Sequence, residues 1–270
     1  MAAEVCVLLP VKQTPSDWFR MALESLLRQT VELEILVLDA SESDAISQSV
    51  YDFADARIRQ ITMPKSVSLT EQLNHGLQIC RSEFVARADA DDLNEPQRLS
   101  RRLETFRNDG DLDVLGTGLT IIDSNGNVVG PRRYPETHDA IAATTPYYNP
   151  LAHPTVMFRR SAVLSVGGYG FSGRPCQDYD LWSRLLLAGY RFANLSSCEV
   201  RYRLHSSSVK SRHVHESLQC TLAIKKMYWR REMTMGAKCR YWIERLLTGL
   251  PADQVIWLQQ RWQYGQCPKV

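Results

Sequence analysis

Val5-Cys6-Val7-Leu8-Leu9-Pro10 is an apolar run of strand length, and the helix-period segment that follows, residues 16–29, makes the pair a βα unit. The rhythm repeats. Residues 33–39 read as a second strand, 44–53 as a helix, 58–62 as a third strand and 68–80 as a third helix. Ser68 and Glu71 have the S-x-x-E spacing of a capping box, and Leu69, Leu73 and Leu77 mark one buried face behind it. Residues 84–88 form a fourth strand that runs straight into Asp89. Alternation of this kind predicts a mainly parallel sheet with helices on both faces, in which ligands bind beyond the carboxyl ends of the strands. Pro10, Asp39 and Asp89 fall at such ends.

Further along, Pro96 reads as the first residue of a helix. Residues 114–122 and 128–129 flank Ser124-Asn125-Gly126-Asn127, a hairpin signal that breaks the βαβ rhythm. The polar run His205-Ser206-Ser207-Ser208-Val209-Lys210-Ser211 reads as a loop or linker before a helical tail. The expected organisation is one α/β domain over residues 1–209 and a basic, aromatic-rich helical extension over 210–270.

With 270 residues, 44% of them hydrophobic, the chain buries a sizeable core. Its seven cysteines are odd in number, scattered and never spaced Cys-x-x-Cys, which argues against a disulfide framework or a zinc knuckle. No charged-then-apolar leader opens the sequence, and no apolar run approaches the ~18 residues that span a bilayer, so a reducing cytoplasm is the default location. The net charge of +2 hides an asymmetry: residues 210–270 carry 11 Lys/Arg against 4 Asp/Glu, and the rest 21 against 26.

Ala88-Asp89-Ala90-Asp91-Asp92 sets three carboxylates within four residues at the end of an apolar strand. Such crowding is costly without a positive charge. Mg²⁺ and Mn²⁺ prefer carboxylate oxygens and keep positions for water and phosphate, so a diphosphate-bridging cation suits the motif, while an aspartate-rich helix cap explains it equally simply. Asp39, at the tip of the second strand, is either a helix N-cap or an acceptor for a base edge or ribose hydroxyl. Gln177-Asp178-Tyr179-Asp180-Leu181-Trp182 opens an amphipathic helix whose Asp178 is either a first-turn cap or a general base. Asp180 points elsewhere and reads as a surface or structural residue.

These pieces, in this order, resemble the family 2 glycosyltransferases of GT-A fold, over roughly residues 5–205. The resemblance is carried by Leu8-Leu9-Pro10-Val11, Ser25-Leu26-Leu27-Arg28-Gln29-Thr30, Leu38-Asp39, Leu73-Asn74-His75-Gly76, residues 86–92, residues 153–160 and Gln177-Asp178-Tyr179-Asp180-Leu181-Trp182. It implies a nucleotide-diphosphate-sugar donor, with Pro10, Val11, Asp39 and Asp89 on the nucleotide-sugar side. It implies that Asp89 and Asp91 form the D-x-D of a Mn²⁺- or Mg²⁺-dependent site, with Asp91 as the direct metal ligand and His205 facing the metal or diphosphate. Asp178 is then the catalytic base of an inverting transfer to a saccharide or lipid-linked saccharide, as in surface-polysaccharide or glycoconjugate assembly. His153 is either a lining residue of the acceptor side or a buried, hydrogen-bonded histidine.

Three departures stand out. Gln177 replaces a glutamate frequent in the family. Leu38-Asp39-Ala40-Ser41 replaces the more usual Asp-Asp-Gly-Ser, which leaves one carboxylate for the base, with UDP-sugars still favoured. Gln259-Gln260-Arg261-Trp262 looks like part of the signature of processive synthases, but Leu258 stands where its first Gln belongs.

In the tail, residues 225–231 and 238–242 interleave cations with aromatics. They predict either peripheral contact with anionic lipid or packing of the aromatic face onto the catalytic domain. Nucleic-acid binding has no recognition motif behind it. Two other enzyme classes fail on the loop Val11-Lys12-Gln13-Thr14-Pro15, whose lack of glycine rules against a sugar nucleotidylyltransferase and against a dinucleotide-binding oxidoreductase. A binding module that has lost catalysis would suit Gln177, but Asp89, Asp91 and Asp178 are all retained.

Overall fold

The computed structural model describes residues 3–170, 175–205, 214–256 and 258. Strand β1 (Val5–Val11) lies parallel to β2 (Leu33–Asp39) on one side and to β4 (Phe84–Arg87) on the other, and β3 (Ile58–Thr62) extends the edge beyond β2. Every residue of β1 is buried, as a strand covered on both faces must be. Its alternation divides the core: Val5, Val7, Leu9 and Val11 join Phe19, Leu23 and Leu26 of α1 (Ser16–Leu27). Cys6 and Leu8 face Leu73 and Leu77 of α3 (Leu69–Ile79). The capping box at Ser68 and Glu71 forms as its spacing requires, each side chain meeting the other's backbone N–H.

Beyond β4 the sheet becomes mixed. A short strand β8 (Met157–Arg159) is inserted antiparallel between β4 and the long β6 (Leu112–Ile122). Strand β9 (Arg191–Arg203) runs parallel to β6, and β5 (Leu93–Asn94) pairs antiparallel to β9. The predicted hairpin is β6 with β7 (Val128–Arg132), turning at Gly126 with φ 90°. Helices α2 (Ala45–Phe53), α4 (Arg98–Asn108), α5 (His138–Thr144), α6 (Arg160–Ser165) and α7 (Gln177–Leu187) pack around this sheet. This is the expected α/β architecture. Pro96 does not open α4, which starts at Arg98 with Gln97 as its N-cap. The Glu95 N–H donates to Glu199 O at 3.0 Å, so the chain stays bound to β9 until Pro96 and Gln97 turn it into the helix.

After residues 206–213, which lie outside the described residues together with most of the polar linker, come α8 (Val214–Ile224), a π-helical turn at Lys225–Trp229 and α9 (Met235–Leu247). In the segment 225–231 Lys226, Met227, Arg230 and Arg231 are exposed, but Lys225 and both aromatics turn inward, contrary to a lipid-facing role for those aromatics. Trp229 Nε1 donates to Ser183 Oγ at 2.9 Å, and the Tyr228 hydroxyl donates to Asp180 Oδ1 at 2.8 Å. Lys225 is fully buried against Glu244, so its charge is neutralised rather than offered to a partner. Asp180 is likewise structural, buried and paired with Arg184 at 2.7 Å. Among the described residues no helix is long and apolar enough to cross a membrane. Residues 259–262 lie outside the described residues.

Gly168 holds φ at +75°, and a Cβ there would lie 2.6 Å from Asn74 Oδ1. Asn74 in turn clasps Tyr169 at both backbone groups, accepting from its N–H at 2.8 Å and donating to its carbonyl at 2.9 Å. Gly168→Ala therefore combines backbone strain with a steric clash, and we expect it to cost about 2–3 kcal/mol of unfolding free energy in urea denaturation.

Candidate active site

Strand β4 is short, apolar and buried, and the chain leaves it at the rim where β1 and β2 also end, because all three run parallel. Asp89 turns to the Arg87 guanidinium, which is itself only 2% exposed. Asp91 meets His205, whose Nε2 lies 2.8 Å from Asp91 Oδ2, and the His205 ring rests edge-on against Trp18 with centroids 5.1 Å apart. Asp92 is buried, and its Oδ1 accepts the backbone N–H of Arg203 at 2.9 Å. Arg203 Nε also donates to the Asp91 carbonyl at 3.1 Å, while its guanidinium lies 4.8 Å above Trp18. The end of β9 is thus clamped onto the loop after β4.

The electrostatics follow from this crowding. Burial pushes the Asp91 carboxyl up, the charge of Asp89 adds to the rise, and the hydrogen bond and charge of His205 oppose it. Burial also holds Asp92 well above the ordinary carboxylate range, with Asp89 and Asp91 adding to the effect. Asp92 Oδ2 is buried without a hydrogen-bond partner.

Among the described residues no three His, Cys, Asp or Glu side chains form a closed metal cage. Asp91 and His205 nevertheless make a carboxylate–imidazole pair at a site short of positive charge. That donor set fits Mg²⁺ or Mn²⁺, which takes few protein ligands and completes its shell with water and phosphate.

Asp178 stands in the first turn of α7. Asn149 Nδ2 donates to Asp178 Oδ2 at 2.7 Å, and Asn149 Oδ1 accepts the Leu151 N–H at 3.3 Å, which fixes the orientation of the amide. Tyr169 is buried. Burial raises its phenol hydroxyl, the charge of Arg87 opposes the rise and that of Asp178 adds to it. His153 Nε2 lies 3.0 Å from that hydroxyl, and His153 is therefore a buried, hydrogen-bonded histidine. Arg184 fixes the approach to Tyr169 from behind, donating to the carbonyls of Val166 at 2.6 Å and Gly168 at 2.7 Å.

Asp39 ends β2 beside Val11 of β1, and both it and Pro10 are almost wholly buried. Its Oδ1 accepts the Ser41 N–H at 2.9 Å and its Oδ2 accepts Gln60 Nε2 at 2.7 Å. A groove of about 350 Å³ opens next to it, lined by Lys12, Thr14, Ser41 and Ser43 among others. Gln72 braces this corner from α3 by donating to the carbonyls of Val11 at 3.1 Å and Leu38 at 2.7 Å. The fold therefore brings Asp91 and His205 together, sets Asp39 on the same rim and pairs Asp178 with Asn149.

Sequence reasoning missed Trp18, Arg87, Arg203, Asn149, Tyr169 and Gln72. Arg87 carried a signal, since an arginine two residues before an acidic cluster is the nearest available countercharge. Trp18, Asn149 and Arg203 carried none, because their contacts cross 29 to 187 residues of chain.

The model of the family described as glycosyl transferase family 2 matches residues 6–168. The O-antigen biosynthesis glycosyltransferase WbnJ of Escherichia coli is 30% identical over 82% of this chain and 88% of its own length. A second E. coli relative, UDP-Gal:alpha-D-GlcNAc-diphosphoundecaprenol beta-1,3-galactosyltransferase, is 26% identical over 77% of this chain and 76% of its own. Among solved structures, residues 1–349 of S. aureus TarS in complex with UDP-GlcNAc superpose with a TM-score of 0.62 at 18% identity, covering 82% of this chain and 66% of that one. The mannosyltransferase PcManGT from Pyrobaculum calidifontis, in complex with GDP-Man and Mn²⁺, gives 0.62 at 13% identity over 97% and 81%. These two likenesses are of fold.

Because the folded-state pKa of Asp92 lies above its unfolded value, its ionisation costs stability, and its contribution is most favourable at acid pH and lost as pH rises. Asp92→Asn keeps the acceptor for Arg203 and removes the charge. It is expected to raise the melting temperature at about pH 7, with the gain shrinking toward about pH 4. Scanning fluorimetry over that range checks it, and a lower melting temperature at neutral pH refutes it.

Proposed function

Because the chain belongs to the family 2 glycosyltransferases, we propose that it transfers a sugar from a nucleotide-diphosphate donor, a UDP-sugar in preference, to a hydroxyl of a saccharide or lipid-linked saccharide. The anomeric configuration inverts. The reading rests on one observation above all: the chain holds an Asp91–His205 pair at 2.8 Å on the rim beyond β4 and an Asp178 carboxylate oriented by Asn149 at 2.7 Å. One acts on the leaving side of the donor and the other on the incoming hydroxyl.

In this mechanism Asp178 accepts the proton of the acceptor hydroxyl as its oxygen attacks the anomeric carbon, and the bond to the diphosphate breaks with its electron pair leaving on the nucleotide. Asn149 holds one carboxylate oxygen of Asp178 and so turns the carboxylate in a fixed direction. Asp91 and His205, with Asp89, would hold a Mn²⁺ or Mg²⁺ whose chemistry is to offset charge on the departing diphosphate. Asp39, with Pro10 and Val11 beside it, takes the nucleoside. No covalent sugar–enzyme intermediate is required, since one base and one leaving group suffice.

Relatives support the choice of substrates. One is named for transfer of galactose from UDP-Gal to a diphosphoundecaprenol-linked sugar, and a relative named for O-antigen biosynthesis points to polysaccharide assembly. Neighbours of the same fold hold UDP-GlcNAc, or GDP-Man with Mn²⁺. We assign residues 1–209 to the transferase domain and 210–270 to an accessory extension, and place the reaction at the cytoplasmic face of the membrane that carries the acceptor.

A thermal-shift screen of nucleotide sugars with and without Mn²⁺ tests the donor half without knowledge of the acceptor. Asp91→Ala is expected to abolish the metal-dependent shift. Asp178→Asn is expected to keep the shift and to lower transfer by about 10²–10⁴-fold in a radiolabelled-sugar assay. Transfer by Asp178→Asn at the wild-type rate would locate the base elsewhere.

A further inference from the structure

Helix α9 has two unlike faces. Ala237, Glu244 and Leu247 are buried against the body, and Glu244, the one acidic residue of the helix, is spent on Lys225 and Arg240. On the other side, Met235, Cys239, Trp242 and Leu246 follow one another at spacings of four, three and four, which lines them up along a single stripe. All four are exposed, Trp242 by 57% and Leu246 by 75%, and Ile243 widens the stripe at 41%. Lys238 and Arg245 flank it, both exposed, and the Arg245 guanidinium lies 5.0 Å over the Trp242 ring.

An apolar stripe with an aromatic at its centre and only cations beside it has the chemistry of a helix that lies in the headgroup region of an anionic bilayer. From these observations we infer that the outward face of α9 docks the protein on anionic lipid. The sequestration of Glu244 is the decisive point. With that carboxylate turned inward, α9 presents no negative charge to repel phosphate headgroups, whereas a helix meant only for water has no reason to expose Trp242 and Leu246 in line.

The position of α9 gives the docking a consequence. Its N-cap Thr234 hydrogen-bonds the Tyr147 hydroxyl, and Arg240 lies 5.0 Å over the Tyr148 ring. The next residue, Asn149, is the one that holds Asp178. A bilayer against the stripe therefore lies about one helix diameter, roughly 10 Å, from the segment that orients the base, across α9, which puts the lipid-linked acceptor of the proposed reaction on this flank of the molecule. This second step rests on the proposed transfer reaction, whereas the docking itself does not.

Flotation of the full chain with vesicles tests the docking alone. At low salt the wild type is expected to co-float with phosphatidylcholine vesicles containing phosphatidylglycerol, and to be released by added salt. Trp242→Glu with Leu246→Glu, at exposed positions that the fold does not need, is expected to reduce co-flotation by about tenfold or more. Lys238→Glu with Arg245→Glu should lower it on the anionic vesicles as well. The nucleotide-sugar thermal shift, unchanged in both variants, reports that the donor site is intact, so failure of docking and failure of the transfer reading give different results. Absence of wild-type co-flotation at low salt overturns the inference, as does retention in the Trp242/Leu246 variant. A dimer in size-exclusion chromatography that the same variant dissolves would assign the stripe to a second copy of the chain and overturn it too.

Discussion

Three carboxylates within four residues at the end of a buried strand are the constraint around which this molecule is organised. Water cannot screen them fully there, so their mutual repulsion must be met by fixed positive charge and by hydrogen bonds to the charged forms. The chain supplies both from distant places. Arg87 reaches Asp89 from within β4, His205 reaches Asp91 from beyond β9, and the backbone N–H of Arg203 meets Asp92. The compensation is incomplete, since Asp91 and Asp92 still titrate above ordinary carboxylates. A site left short of positive charge in this way favours a cation.

Two helices hold the remaining parts. From α3, Gln72 braces the ends of β1 and β2, while Asn74, two residues on, clasps Tyr169. From α7, Asp178 meets Asn149, and Asp180 and Arg184 on another side of the helix bind Tyr228 and the carbonyls before Tyr169. The glycine pair at 167–168 belongs to this arrangement, because both residues hold positive φ and the second lies too close to Asn74 for any side chain. The candidate site residues are thus fixed by neighbours outside the candidate site.

The C-terminal helices share this logic. The first aromatic and basic cluster of the tail turns inward, with Trp229 on Ser183 and Lys225 on Glu244, so it works as cement between the extension and α7. Charge pattern alone does not separate that cluster from the one on α9, since both interleave cations with aromatics. What separates them is which side of each helix finds a partner.

The sequence by itself determined the alternation of strands and helices through β4, the capping box, the hairpin around Gly126 and the family. All of these are local or follow from motif order, and a periodicity of two or of about four residues is written directly into the chain. It also marked Asp39, Asp89, Asp91, Asp178 and His205 as the residues worth watching, while leaving caps and ligands indistinguishable. The tertiary structure alone decided that β8 enters the sheet between β4 and β6, that His153 is buried on Tyr169, and that Asn149 holds Asp178. The start of α4 was misjudged for the same reason, since Glu95 is bound to β9. Contacts between residues dozens of positions apart depend on how packed elements meet, and no local pattern of residue types encodes that meeting.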